Sequence, residues 1–169
     1  YAHNEIVNKD EPIYPEHNKH LSQIGSPMQA HQVLIAEGIF TSQEEIDNHP
    51  VQTFGSYYVG DIKYKDVNGD GRVDSNDYVW DQTPSVPEIQ YGFGASFKYK
   101  AWDLSFMFQG TGNYQIRMYN HHPFCEGAHF GYGITKYLAD DHWSWDNNNA
   151  NAGYPRLTGI VSDNNIQAS

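Results

Sequence analysis

The chain has 169 residues, enough for one domain with its own core, and carries a net charge of -11. That charge argues against nucleic acid and against an anionic membrane surface as partners. Aromatic residues make up 15%, with 13 Tyr and 15 Gly, a composition that suits β-structure better than a helical bundle. A single cysteine, Cys125, excludes a disulfide framework within the chain. No run of about eighteen apolar residues is present, so no transmembrane helix is expected. The abrupt opening at Tyr1, without signal peptide or initiator Met, suggests a processed or excised piece.

In chain order, Tyr1 to Ile24 is polar and without period, and reads as loop with solvated His3, His17 and His20. The apolar stretch Val33 to Ala36 predicts a short strand. Thr41-Ser42-Gln43-Glu44-Glu45-Ile46 is a capping-box pattern with an acidic first turn, and predicts one short helix ending before Pro50.

Asp66 to Asp77 reads as a calcium loop. Oxygen side chains stand at positions 1, 3, 5, 9 and 12 of a twelve-residue segment, with Gly71 at position 6. A hard cation takes six to eight oxygen ligands, and a tightly curled loop can offer them only if the chain turns sharply. Asp66, Asn68, Asp70 and Asp74 would supply side-chain oxygens, Arg72 its backbone carbonyl, and Asp77 the closing carboxylate. Asp77 stands where such loops carry a bidentate Glu, so weaker binding is expected than in a tight sensor or buffer site. The competing reading is an Asp/Asn/Gly turn cluster with no ion. In both readings the loop is structural, with no nucleophile or base beside it.

Gln90 to Gly110 carries the clearest periodicity. Tyr91, Phe93, Ala95, Phe97 and Tyr99 alternate with small or polar residues. After a tight connection at Lys100-Ala101, Trp102, Leu104, Phe106 and Phe108 alternate likewise. Each run has the nine to eleven residues a tilted strand needs to cross a bilayer. Tyr99 and Trp102 cluster at the turn as in an interfacial aromatic girdle. A hairpin of a soluble sandwich would alternate in the same way, and periodicity alone leaves both open.

Beyond Gly110 the chain reads as long irregular loop. A zinc site at His121, His122, His129 and His142 is disfavoured, because no pair has helical spacing and only one Cys is available. Trp143 and Trp145 are the weak candidates for substrate binding, by stacking on a sugar ring, with plain packing of the loop as the alternative. No spacing specifies paired catalytic carboxylates, a Ser-His-Asp order or a phosphate-cradling loop, so no enzyme is expected.

Four stretches in order, AEGIFTSQEEID (Ala36 to Asp47), GDIKYKDVNGDGRVDSND (Gly60 to Asp77), YGFGASFKYKAWDLSFMFQG (Tyr91 to Gly110) and YPRL (Tyr154 to Leu157), resemble the SusC/RagA family of TonB-linked outer-membrane transporters. The resemblance implies an all-β fold: residues 1–169 as a fragment of a large antiparallel outer-membrane β-barrel, with long extracellular loops and one short helix. It also implies a SusD-like surface lipoprotein as partner, TonB as energy source through other parts of the parent, and import of glycan or peptide fragments. In that frame the hairpin meets lipid and turns on the periplasmic side, and the calcium loop is extracellular. The alternative function is a secreted, calcium-stabilised carbohydrate-binding β-sandwich module.

Overall fold

The computed structural model describes residues 1–116, 134–148 and 150–158. The expectations for His121, His122, His129 and Cys125, and for most of the long loop after Gly110, lie outside the described residues. Eight strands follow in order: Gln32–Val33 (β1), Ala36–Ile39 (β2), Val51–Gln52 (β3), Ile62–Tyr64 (β4), Arg72–Val73 (β5), Val79–Trp80 (β6), Ile89–Tyr99 (β7) and Trp102–Gly112 (β8). The α-helices are short, Gln43–Asn48 (α1) and Lys136–Asp140 (α2), and 3-10 turns cover Glu16–Leu21 and Ser75–Asp77. Strands dominate, as in an all-β protein, and no closed barrel is seen among the described residues. No described helix is long and apolar enough to cross a membrane.

The chain divides into two compact units. The first comprises Tyr1–Glu11, Gln23–His31 and Trp80–Arg117. It is built on the β7–β8 hairpin, whose antiparallel register runs unbroken from Ile89↔Gly112 to Tyr99↔Trp102. Period-two patterning on both strands, joined by a two-residue turn, produces this register directly. Lys100 takes the left-handed conformation there, at φ 56°. Phe93↔Phe108, Ala95↔Phe106 and Phe97↔Leu104 share one face, while Gly94↔Met107, Ser96↔Ser105 and Lys98↔Asp103 share the other. Phe93 and Phe108 stack at 5.2 Å between ring centroids. At the open end, the Glu88 carboxylate pairs with His3 and accepts a hydrogen bond from Asn113. The His3 bond, and secondarily that of Asn113, hold the Glu88 carboxyl below its ordinary value against opposing desolvation. His3 is thus engaged rather than merely solvated.

The second unit comprises Pro12–Ser22, Gln32–Val79 and Met118–Ser169. Its core is Leu34, Tyr64 and Val73, with Phe54, Ile62 and Tyr78 against it. Burial of apolar side chains like these contributes about 1.5–3 kcal/mol each. The expected strand at Val33 to Ala36 is split: β1 ends at Val33 and β2 begins at Ala36. Leu34 turns into the core between them, and the Ile35 carbonyl accepts from Lys65 N–H at 2.8 Å. β2 pairs antiparallel with β4 through a bulge between Ala36 and Gly38, and β3 pairs parallel with β5. Buried Gln52 links these two small sheets. Its Nε2 donates to the Ile62 carbonyl at 3.2 Å and its Oε1 accepts from Tyr64 N–H at 2.7 Å. A side-chain amide here stands in for a missing strand, satisfying backbone groups that burial would otherwise strand.

Helix α1 forms where the capping pattern places it. Ser42 Oγ accepts from Glu45 N–H at 3.3 Å, and Glu45 Oε2 accepts from Thr41 N–H at 2.8 Å. The reciprocal bond reaches Thr41 rather than Ser42 itself. The helix ends at Asn48, before Pro50.

Candidate functional site

Two features of the second unit carry the functional candidates: the acidic loop and a cleft beside α1. The loop follows β4, and its middle residues Arg72–Val73 form β5, with Val73 wholly buried. That apolar anchor, paired with β3, fixes the loop to the core. Gly71 has φ 84°, a conformation that a side chain strongly disfavours and that permits the sharp turn.

The loop oxygens are organised by backbone N–H groups. Asp66 accepts from Gly69 at 2.6 Å and from Gly71 at 2.8 Å, one on each oxygen. Asn68 Oδ1 accepts from Asp70 N–H and Asp70 Oδ1 from Arg72 N–H, both at 2.9 Å. Asp74 caps the Ser75–Asp77 turn through Asn76 N–H at 2.7 Å. Asp77, wholly buried, is the loop's internal clasp. Its Oδ1 accepts from Val67 and Asn68, and its Oδ2 from Asp74. Because β3 takes the carbonyls of Gly71 and Val73, the alternating carbonyl of Arg72 points the other way.

The donor set fits a hard cation in kind: each carboxylate oxygen that receives one N–H keeps a lone pair. Asp77 Oδ1, with two donors, is fully subscribed. Among the described residues, no group of three or more His, Cys, Asp or Glu side chains is gathered as a metal site. Asp66, Asn68, Asp70 and Asp74 would have to draw inward around an ion, with the Arg72 carbonyl and Asp77 Oδ2 completing it. His20, which the sequence placed in solvent, contacts the Asn76 carbonyl at 2.6 Å through Nε2 and ties the Glu16–Leu21 turn to the loop's end.

The second feature was not legible from spacing. Asp61, wholly buried, is held by Arg156, with Nε to Oδ1 at 2.7 Å and Nη2 to Oδ2 at 3.1 Å. Tyr58 N–H donates to the same carboxylate at 2.8 Å, and the guanidinium lies 5.0 Å from the Tyr58 ring centre. Arg156 N–H also donates to the Gly60 carbonyl at 2.8 Å. Gly60 has φ 96°, and a Cβ there would sit 2.2 Å from Trp143. Trp143 is thereby packed against backbone and buried, with its indole N–H donating to Asn148 at 3.0 Å. Trp145 meets it edge-on at 5.1 Å and remains 76% exposed. Of the two weak candidates, Trp143 therefore packs the unit, and Trp145 presents its ring to solvent. Both line an open cleft of about 750 Å³, together with Thr41, Gln43, Tyr58 and His142.

An eleven-residue hairpin with one apolar face, beside an acidic loop on a small β-core, is an arrangement found in proteins of the outer membrane. No family model matches the chain. The chain is 37% identical over 125 residues to TonB-dependent receptor P26 of Formosa agariphila. The match covers 72% of this chain and 12% of that protein, so the chain spans a small part of its relative's length. By this match the chain is a relative of the TonB-dependent receptors, and it is an outer-membrane protein.

Proposed function

We propose that the chain is part of the barrel of a TonB-dependent transporter of the SusC/RagA type. In this reading β7 and β8 cross the bilayer side by side, with the Phe93, Phe97, Leu104 and Phe106 face on lipid and Ser96 and Ser105 toward the lumen. The observation that carries it is the unbroken eleven-residue register, which puts every large apolar residue of both strands on one face. Each strand matches the length a tilted strand needs to span hydrocarbon. The exposure of that face, 59% for Phe97 and 63% for Leu104, supports a covering of lipid.

The long segments outside the hairpin then form the extracellular side, where a SusD-like lipoprotein would lid the barrel. Glycan or peptide fragments would pass inward at the expense of TonB-coupled energy. The Asp66–Asp77 loop would bind calcium in a structural role, and no chemistry is assigned to the chain.

The partner is tested directly. Tagged full-length parent, taken from outer membranes in mild detergent, should co-purify a SusD-like lipoprotein in comparable amount. Isolation without any surface lipoprotein would contradict the SusC/RagA assignment.

A further inference from the structure

The cleft beside α1 has a chemical character of its own. Trp145 is exposed, but Trp143 holds its ring in place and is itself locked by Gly60 and Asn148. A rigid aromatic face at the rim of a cleft loses little conformational freedom when a ligand covers it. Around it stand polar atoms with no hydrogen-bond partner among the described residues: Gln43 Oε1, the Tyr58 hydroxyl and His142 Nε2. Gln43 and His142 spend only Nε2 and Nδ1, on Asp47 and the Ala139 carbonyl.

The charge of the cleft narrows the ligand further. Among its lining residues only Arg156 is a permanent cation, and both of its contacting nitrogens are committed to buried Asp61. An anionic ligand could recruit Arg156 only by leaving that carboxylate buried and unpaired, which costs several kcal/mol. The cleft is therefore suited to a neutral ligand. None of its lining residues belongs to a strand, so it offers no sheet edge for an extended peptide to join. What remains is a flat aromatic platform ringed by acceptors and donors. Its complement has an apolar C–H face and hydroxyl groups around its edge.

We propose that this cleft binds a neutral saccharide, with one pyranose ring stacked on Trp145 and its hydroxyls reaching Gln43, Tyr58 and His142. The proposal rests on the transporter reading for the source of the sugar, while the binding itself needs no energised membrane.

Calorimetry on the full-length parent, in a detergent without a sugar headgroup, tests it. The probes are cellohexaose, maltohexaose and xylohexaose, with a neutral alanine–serine hexapeptide as the contrary arm. At least one saccharide should bind and shift tryptophan fluorescence. Trp145→Ala should weaken it roughly tenfold, and Trp145→Phe should restore most of the affinity. Tyr58→Phe, which deletes one hydroxyl and leaves the ring beneath Arg156, should weaken it about threefold to tenfold. Binding of no saccharide, binding indifferent to Trp145, or Trp145-dependent binding of the peptide would each overturn the proposal. If the sugar fails while a SusD-like lipoprotein still co-purifies, only the cleft assignment falls. If the lipoprotein is absent while sugar binds, only the transporter subtype falls.

Discussion

Arg156 grips both carboxylate oxygens of Asp61 across 95 residues of sequence, at 2.7 and 3.1 Å. The pair pins the Tyr154–Leu157 stretch onto the turn before β4. It does so from both directions, since the Arg156 backbone N–H also donates to Gly60. Desolvating an ion pair is costly, so its presence is not by itself a gain in stability. Removing one partner is a different matter, because Asp61 is wholly buried and would be left charged with only the Tyr58 N–H.

Arg156→Ala should therefore destabilise this region by about 3 kcal/mol, the lower end for a broken buried pair because Arg156 retains some solvent contact. Arg156→Lys should cost less, keeping the charge but losing the two-pronged geometry. Hydrogen exchange of the amides around Gly60 and Asp61 reads this locally. An acceleration on the order of a hundredfold in the alanine variant is expected. Unchanged exchange would show that the pair does not hold the segment.

Calcium makes a separate prediction. Asp66, Asp70, Asp74 and Asp77 crowd one short loop, and a cation would relieve their mutual repulsion. Calcium should raise the thermal stability of the full-length parent, and Asp70→Ala should abolish the rise. Asp70 is the clean probe because its oxygens contact only Arg72 N–H and the Asn68 amide. Identical melting with calcium and with chelator would leave the loop as a self-satisfied turn cluster.

A pH effect is expected at α1. The Glu45 carboxyl is held below its ordinary value, chiefly by the Thr41 backbone N–H and against opposing desolvation. A lowered folded value stabilises the helix start above the ordinary glutamate range of about 4.3, and this is lost as pH falls through the folded value. The site is partly solvated, so the effect is small, about 0.5 kcal/mol. At neutral pH, Glu45→Gln should speed hydrogen exchange in α1 roughly twofold. Below the folded value the variant and wild type should converge. A difference that persists unchanged in acid would rule out the carboxylate as its source.

The hairpin and α1 were legible because their causes are local. Alternation at 91–108 specifies a strand face, and Ser42 with Glu45 specifies a helix start within four residues. The turn glycine and oxygen spacing of 66–77 were equally readable, but the role of Asp77 was not. Its oxygens are committed to Val67, Asn68 and Asp74, a choice set by its burial rather than by its position in the motif. What escaped the sequence is non-local. Nothing near Asp61 announces Arg156, and nothing near Val51 announces a parallel partner at Arg72. Gln52 looks like any polar surface residue until burial makes it a bridge between sheets. Trp143 and Trp145 are two residues apart and read alike, yet Gly60 buries one and leaves the other to solvent.

The central claim is that one face of the β7–β8 hairpin meets lipid, and a folding assay of the full-length parent in lipid tests it most directly. Phe97→Arg places a charge on the apolar face opposite Leu104, and Ser96→Arg places one on the other face opposite Ser105. A charge on the lipid face costs about 2–4 kcal/mol near the bilayer midplane, while the lumen side tolerates it. The account predicts a penalty in that range for Phe97→Arg and little for Ser96→Arg. Equal penalties, or a larger one for Ser96→Arg, would contradict it.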